Sequence, residues 1–238
     1  MRALNIQNES TGPARPFVQA LEARGIEVQT LHPYGGEPLP ETLDGVAAII
    51  AGGGLVDIHQ ADEHPWLARE IELVREALVR GTPFMGLCLG AQVLTAAAGG
   101  EVYRSEPHEI GWHEVELLPG AAGDPLFDGL PPRIQTMQWH YYGCRLNGEG
   151  TELMKNAVAL QALRVGDRAW GTQFHIEATR PVLLEWMELG AEELAANGYP
   201  REEFVRALDV HLPEHERIRR ILAERFAAVA AGDATPAS

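Results

Sequence analysis

The sequence predicts an α/β fold, a doubly wound, mostly parallel sheet with a C-terminal helical appendage. Three observations predict it. Val46 to Ile50 is an unbroken apolar run, as expected of a strand buried on both faces. Strand-like and helix-like stretches alternate through the N-terminal part of the chain, the rhythm of a parallel sheet with crossover helices. The stretch Pro83-Phe84-Met85-Gly86-Leu87-Cys88-Leu89-Gly90-Ala91-Gln92 reads as a short buried strand turning at once into a helix, with a cysteine at the apex.

In order, Ala3 to Gln7 reads as a strand, and Gly12-Pro13 opens a helix through Arg24 with Gly25 as its C-cap. Ile26 to Leu31 is a second strand, followed by a Pro/Gly loop to Asp44. The Val46–Ile50 strand ends in Ala51-Gly52-Gly53-Gly54, and a long loop follows to Pro65. Trp66 to Arg80 is amphipathic, with Leu67, Ile71, Val74 and Leu78 on one stripe and Gly81 as cap. Beyond Gly100 the pattern changes. Val102-Tyr103, His113 to Leu118, Ile134 to Trp139, Val158 to Val165 and Ala169 to Phe174 read as strands, the last two joined by a Gly166-Asp167 hairpin turn. Pro181 starts a helix through Ala196. Arg201 to Val210 and Glu214 to Ala231 read as two more, and the small-residue tail to Ser238 as frayed.

With 238 residues, 45% of them hydrophobic, the chain is long enough for one full core. The expected division is a domain over 1–185 and a helical extension over 186–238 packed on it. A net charge of −15 repels phosphate backbones and anionic lipid, so neither nucleic acid nor membrane is an expected partner. No apolar run is long enough to span a bilayer, and the N-terminus is too short and polar for a signal peptide. Two cysteines, Cys88 and Cys144, make no disulfide framework and fit a reducing cytoplasm.

Gly86 and Gly90 bracket Cys88 in a nucleophile-elbow pattern, because a strand that turns directly into a helix leaves no room for side chains at those positions. A cysteine in an apolar, Gly-rich segment is also an ordinary small core residue. The elbow would set the sulfur at a helix N-terminus, where the dipole favours thiolate. A nucleophile needs a base, and the base an orienting group. His175-Ile176-Glu177 supplies both with period-two spacing, although alone it reads more readily as a surface pair at a strand end. Gly52–Gly54, at another strand end, is a flexible loop or a set of bare N–H donors for an oxyanion, with Leu89 N–H as the second donor. His211-Leu212-Pro213-Glu214-His215 fits a zinc pattern, but Pro213 is expected to break the helix there, and no metal is expected. The acidic run Glu188 to Glu193 reads as a solvated helix face.

Gly86-Leu87-Cys88-Leu89-Gly90-Ala91-Gln92, His175-Ile176-Glu177 and the glycine turn together resemble the class I, triad-type glutamine amidotransferases, which have a flavodoxin-like sheet. The match is nearest to the free-standing subgroup similar to the GMP synthase amidotransferase domain. It covers residues 1 to 185, including Asp62 to Leu67, Glu109-Ile110-Gly111-Trp112, Asp124 to Phe127 and Gln138-Trp139-His140. The resemblance implies a Cys88–His175–Glu177 triad and an oxyanion hole from Gly53 and Leu89. It implies substrate contacts at Gly54, Gln92, Gly111, Trp112 and His140. It also implies hydrolysis of L-glutamine through a γ-glutamyl thioester, with no cofactor and with ammonia passed to a separate synthase. A γ-glutamyl hydrolase acting on peptides or γ-glutamylated amines, and a non-catalytic regulatory subunit, are the alternatives. The chain departs from the pattern at Ile176 and Gly54, where many members carry proline, and at Tyr142, where relatives often carry an acid.

Overall fold

The computed structural model of the protein describes residues 2–233, so residues 234–238 of the tail lie outside it. β1 (Arg2–Ile6), α1 (Arg15–Glu22), β2 (Glu27–Leu31), β3 (Val46–Ala51), α2 (Pro65–Arg80), β4 (Phe84–Leu87) and α3 (Leu89–Ala97) follow the expected alternation. α1 begins at Arg15 rather than at Gly12-Pro13, with Pro16 in its first turn, where proline's missing N–H costs nothing. β9 (Ala169–Thr172) returns to the far side of β4. The order β2-β1-β3-β4-β9 is parallel throughout.

Helices cover both faces of this half. Ala48, Ile50, Met85 and Leu87 point to one face with Phe17 and Leu21 of α1. The alternate residues Ile49, Ala51 and Phe84 point to the other, against Leu67 and Val74 of α2 and Val93 and Leu94 of α3. Near-continuous apolar strands are what two covered faces require.

The second half corrects the expectation of a mostly parallel sheet. β5 (Glu101–Leu117), β6 (Arg133–Arg145), β7 (Thr151–Lys155) and β8 (Leu160–Val165) pair only antiparallel, with each other and with β9. β7 bonds to both β5 and β8, so β5, β6, β8 and β7 close into a small ring of strands. No α-helix lies between β5 and β9 to carry the chain across the sheet, and short connections give antiparallel neighbours. β5 is one long strand in place of two short ones. Its register breaks between Arg104 and Glu109, where Glu106-Pro107-His108 interrupts the alternation. β7 carries no strand signal apart from Leu153 and Met154.

The C-terminal helices differ from expectation twice. The helix opened by Pro181 is two: α4 (Arg180–Leu189) and α5 (Ala191–Ala196). Gly190 separates them, and a Cβ there would meet the Trp139 ring at 2.3 Å, which leaves room for glycine alone. α6 (Arg201–Ala231) is one helix that runs through Pro213. Pro213 and Asp209, the residue one turn earlier, are both exposed, so water can take the carbonyl that proline leaves unbonded. On the opposite side Leu208, Leu212, His215, Ile218 and Leu222 are buried, and that packing holds the helix together. α6 joins α1 in the main core at its C-terminal end. At its N-terminal end it packs with α4 on Ile110, Trp112 and Met137. No helix of the described residues is long and apolar enough to cross a membrane.

Candidate active site

Cys88 stands between β4 and α3 at φ 52, the only described non-glycine residue in the left-handed region. Its backbone conformation carries strain that the surrounding packing must hold. A Cβ on Gly86 would meet the Gly90 carbonyl oxygen at 2.4 Å, and one on Gly90 would meet the Ala51 carbonyl oxygen at 2.2 Å. The bracketing glycines are therefore a condition of the elbow. The other cysteine, Cys144, is fully buried, and burial pushes its thiol up to about 12.

His175 and Glu177 follow β9, next to β4 in the sheet, and so arrive beside the elbow. His175 Nδ1 lies 2.8 Å from Glu177 Oε1, and both residues are buried. Burial opposes a charged imidazole, but the Cys88 sulfur and the Glu177 carboxylate outweigh it and hold the His175 pKa well above the ordinary value. Gly53 closes the group: a side chain there would lie 3.2 Å from His175 Cε1 and 3.6 Å from Cys88 Cβ.

The glycine turn is anchored from behind. The Gly52 carbonyl accepts from Gly90 N–H at 3.2 Å and from Asn8 Nδ2 at 3.3 Å. Asn8 Nδ2 also reaches Glu70 Oε1 of α2 at 3.2 Å. Because the peptide is planar, fixing the Gly52 carbonyl fixes the direction of Gly53 N–H. Glu70 is wholly buried, and burial raises its pKa to about 8 despite the Asn8 contact. The His175 side has its own support in α6. Arg219 donates to the Ala178 carbonyl at 2.8 Å. His215 packs against Trp112, with ring centroids 5.3 Å apart, and burial, aided by Arg219, lowers its pKa to about 3. This corrects the expectation of a helix break at Pro213. His211 and His215 flank Trp112 on one continuous helix, and no group of described residues has a geometry that could hold a metal.

A cavity of about 310 Å³ opens on Cys88, Gly53, Gly54, His175 and Glu177. The rest of its wall, which includes Glu9, Thr11, Trp139, Trp186, Leu189 and Glu193, holds no residue that the sequence reading assigned to the site. Trp139 belongs to a motif singled out above. In the acidic run Glu188 and Glu192 are exposed as expected, and Glu193 departs, its carboxylate accepting from Trp139 Nε1 at 2.8 Å. Several implied substrate contacts lie elsewhere. Gln92 is buried behind the elbow, donating to Gln173 Oε1 at 3.5 Å, while Gln173 Nε2 reaches Cys88 Sγ at 3.6 Å. Gly111 lies under the Tyr199 ring, which would stand 2.1 Å from a Cβ there, and the Tyr199 hydroxyl donates to the Trp112 carbonyl at 2.8 Å. His140 is buried, donating from Nδ1 to the Tyr142 carbonyl at 2.9 Å, with Nε2 3.4 Å from Glu109. Leu89 follows the elbow directly, and its side chain would lie 2.7 Å from a Cβ on Gly54.

A cysteine elbow on a wound sheet, facing a buried His–Glu pair and a glycine turn, is the arrangement that nucleophile-elbow hydrolases share. Residues 15–182 match the family model for class-I glutamine amidotransferases, and the chain belongs to that family. It is 26% identical to the glutamine amidotransferase-like protein YfeJ of Salmonella typhimurium, over 87% of this chain and 88% of that one. It is 32% identical to a glutamine-hydrolysing GMP synthase of Aeropyrum pernix, over 64% of this chain but only 29% of that enzyme. A γ-glutamyl-L-1-hydroxyisopropylamide hydrolase of a Pseudomonas species is 26% identical over 75% of this chain and 62% of its own length. Among solved structures, a glutamine amidotransferase of Thermotoga maritima superposes with a TM-score of 0.83 at 26% identity, covering 95% of this chain and 98% of that one.

Proposed function

We propose that the protein hydrolyses the side-chain amide of L-glutamine, or of another γ-glutamyl compound, with Cys88 as nucleophile, His175 as proton carrier and Glu177 as its orienting group. The carrying observation is the convergence of three separate chain segments at Gly53, where an added Cβ would lie within van der Waals reach of both Cys88 and His175. Glu177 occupies Nδ1 of the imidazole, which leaves Nε2 to exchange a proton. The Cys88 sulfur adds to the amide carbon, and the oxygen's developing charge is taken by Gly53 and Leu89 N–H. The imidazolium gives its proton to the departing nitrogen, the C–N bond breaks, and a γ-glutamyl thioester remains. Water then adds as His175 takes its proton, the C–S bond breaks, and glutamate leaves as the sulfur and imidazole regain their starting state. In the ammonia-donor form of this reading, the released ammonia passes to a synthase in trans, as the kinship with GMP synthases supports. Both cysteines are free thiols, in keeping with a reducing, cytoplasmic setting.

One observation favours the second form, a hydrolase of γ-glutamyl amides that needs no acceptor. The chain's own α4 and α5 supply Trp186, Leu189, Gly190 and Glu193 as a wall over the cavity. The deciding measurement is glutamate and ammonia release from L-glutamine by the purified chain beside a γ-glutamyl amide series, with Cys88→Ala as control. Cys88-dependent release supports the triad. Release that survives Cys88→Ala would sink it.

A further inference from the structure

We propose that the cavity beside Cys88 receives a positively charged amine as the leaving portion of the substrate, so that γ-glutamyl amides of diamines or larger polyamines are the preferred class. This rests on the Cys88 amidase reading and adds to it the identity of the departing group.

The first observation is an aromatic corner built at the nucleophile. The Trp186 ring stands edge-on to His175 at 4.7 Å and to Trp139 at 6.2 Å. Both indole N–H groups are already committed. Trp139 Nε1 donates to Glu193 Oε2, and Trp186 Nε1 donates to the Thr11 carbonyl, each at 2.8 Å. What these rings can offer a ligand is therefore their faces and edges, and an indole face is the best aromatic partner for a cation. The corner is fixed in place, because Gly190 leaves space for Trp139 that any side chain would fill.

The second observation is charge. Two acidic residues beyond the His175–Glu177 pair line the cavity from opposite parts of the chain: Glu9 from the loop after β1, whose Oε1 accepts from Ser10, and Glu193 from α5, whose Oε2 accepts from Trp139. No lysine or arginine lines the cavity among the described residues. An anionic leaving amine, such as an amino acid, would meet these two carboxylates, and the one cation there, His175, is already paired with Glu177. The third observation is size. At about 310 Å³ the cavity lies at the lower end of the range of small-molecule pockets (roughly 300–1,000 Å³), room for a γ-glutamyl group carrying a small amine.

The test is kcat/KM on matched γ-glutamyl amides of propylamine, 1,3-diaminopropane and β-alanine, for the wild type, Glu193→Gln and Glu9→Gln. The expected order is diamine, then propylamine, then β-alanine, with the diamine about tenfold above propylamine, as a desolvated cation on an indole and a carboxylate would give. Each Gln variant is expected to narrow the diamine-to-propylamine ratio. A ratio near one in the wild type would overturn the proposal. So would Gln variants that lower both compounds equally, since these carboxylates would then be holding the α-ammonium common to every γ-glutamyl group. If no amide is turned over, the amidase reading is what has failed, and the cation site is read directly by protection of Cys88 from iodoacetamide by free 1,3-diaminopropane and by propylamine. Selective protection by the diamine supports the site, and equal or absent protection overturns it.

Discussion

Glu70 and His215 occupy matching places behind the two halves of the site. Glu70 lies behind the Gly52–Gly54 turn and acts on it through Asn8. His215 lies behind the His175–Glu177 segment, one helical turn before the Arg219 that holds the Ala178 carbonyl. Both are at most 1% exposed. Burial drives them in opposite directions, Glu70 up to about 8 and His215 down to about 3, and at neutral pH the result is the same: each is predominantly uncharged. The comparison shows that these supports are polar without adding a fixed charge behind the reacting groups. What raises the pKa of the imidazole is Cys88 and Glu177.

The largest expected effect comes from removing what both halves share. Gly90 lends its N–H to the Gly52 carbonyl and packs against Ala51, with the Ala51 carbonyl oxygen 2.2 Å from where a Cβ would stand. Backbone cannot yield as a side chain does. Gly90→Ala should therefore abolish Cys88-dependent turnover and lower the melting temperature by several degrees, read by activity assay and circular dichroism. Wild-type turnover in that variant would mean the elbow and the glycine turn are not coupled.

A smaller, asymmetric pair of effects separates the two supports. Asn8→Ala releases the Gly52 carbonyl but leaves one bond to it, from Gly90. Turnover should fall about tenfold, less than the 10²–10³ expected for losing an oxyanion donor outright, with KM changing little. Arg219→Met leaves the buried Ala178 carbonyl unpartnered, which should cost about 1–3 kcal/mol of stability and appear chiefly in the melting temperature. Equal losses of turnover and stability in both variants would erase the distinction between a support of the oxyanion turn and a brace of the fold.

What could be read from the sequence divides along the same line. The elbow was legible because its determinants are local: Gly86, Cys88 and Gly90 act on one another across a single turn, and His175 and Glu177 pair at 2.8 Å across two residues. β3 and β4 were legible as short apolar runs, and β2 by its alternation. The supports join distant segments, Asn8 to Glu70 across 62 residues and Trp186 to Thr11 across 175, and no periodicity marks such partners. β7 and the long β5 were missed for a related reason. They complete a closed ring, in which pairing is set by neighbours and weakly by each strand's own alternation. At Pro213 and Glu193 local rules gave way to packing: the buried face of α6 outweighs one lost helix bond, and the Trp139 indole captures a glutamate from an otherwise exposed acidic run.

The smallest effect on turnover, and the sharpest test of the comparison, is Glu70→Gln. The amide matches the protonated acid in shape and retains an oxygen to accept from Asn8 Nδ2, so turnover at neutral pH should stay within about twofold of wild type. Stability should respond differently. Glu70 in the folded protein keeps its proton up to about pH 8, whereas in the unfolded chain it releases it near the ordinary value of 4.5. Between those values the folded state holds more protons, so this group makes the protein less stable as pH rises, with a slope approaching about 1.4 kcal/mol per pH unit. His215 has the opposite sign. Its folded value of about 3 lies below the unfolded 6.5, so it destabilises the fold as pH falls through that window. Glu70→Gln should remove the first slope and leave the second, making the variant more stable than wild type at pH 8 and little different at pH 4.5. Denaturant melts across that range measure both. A variant that tracks the wild type at pH 8 would show that Glu70 is already ionised in the folded protein, and the equivalence between the two supports would fail.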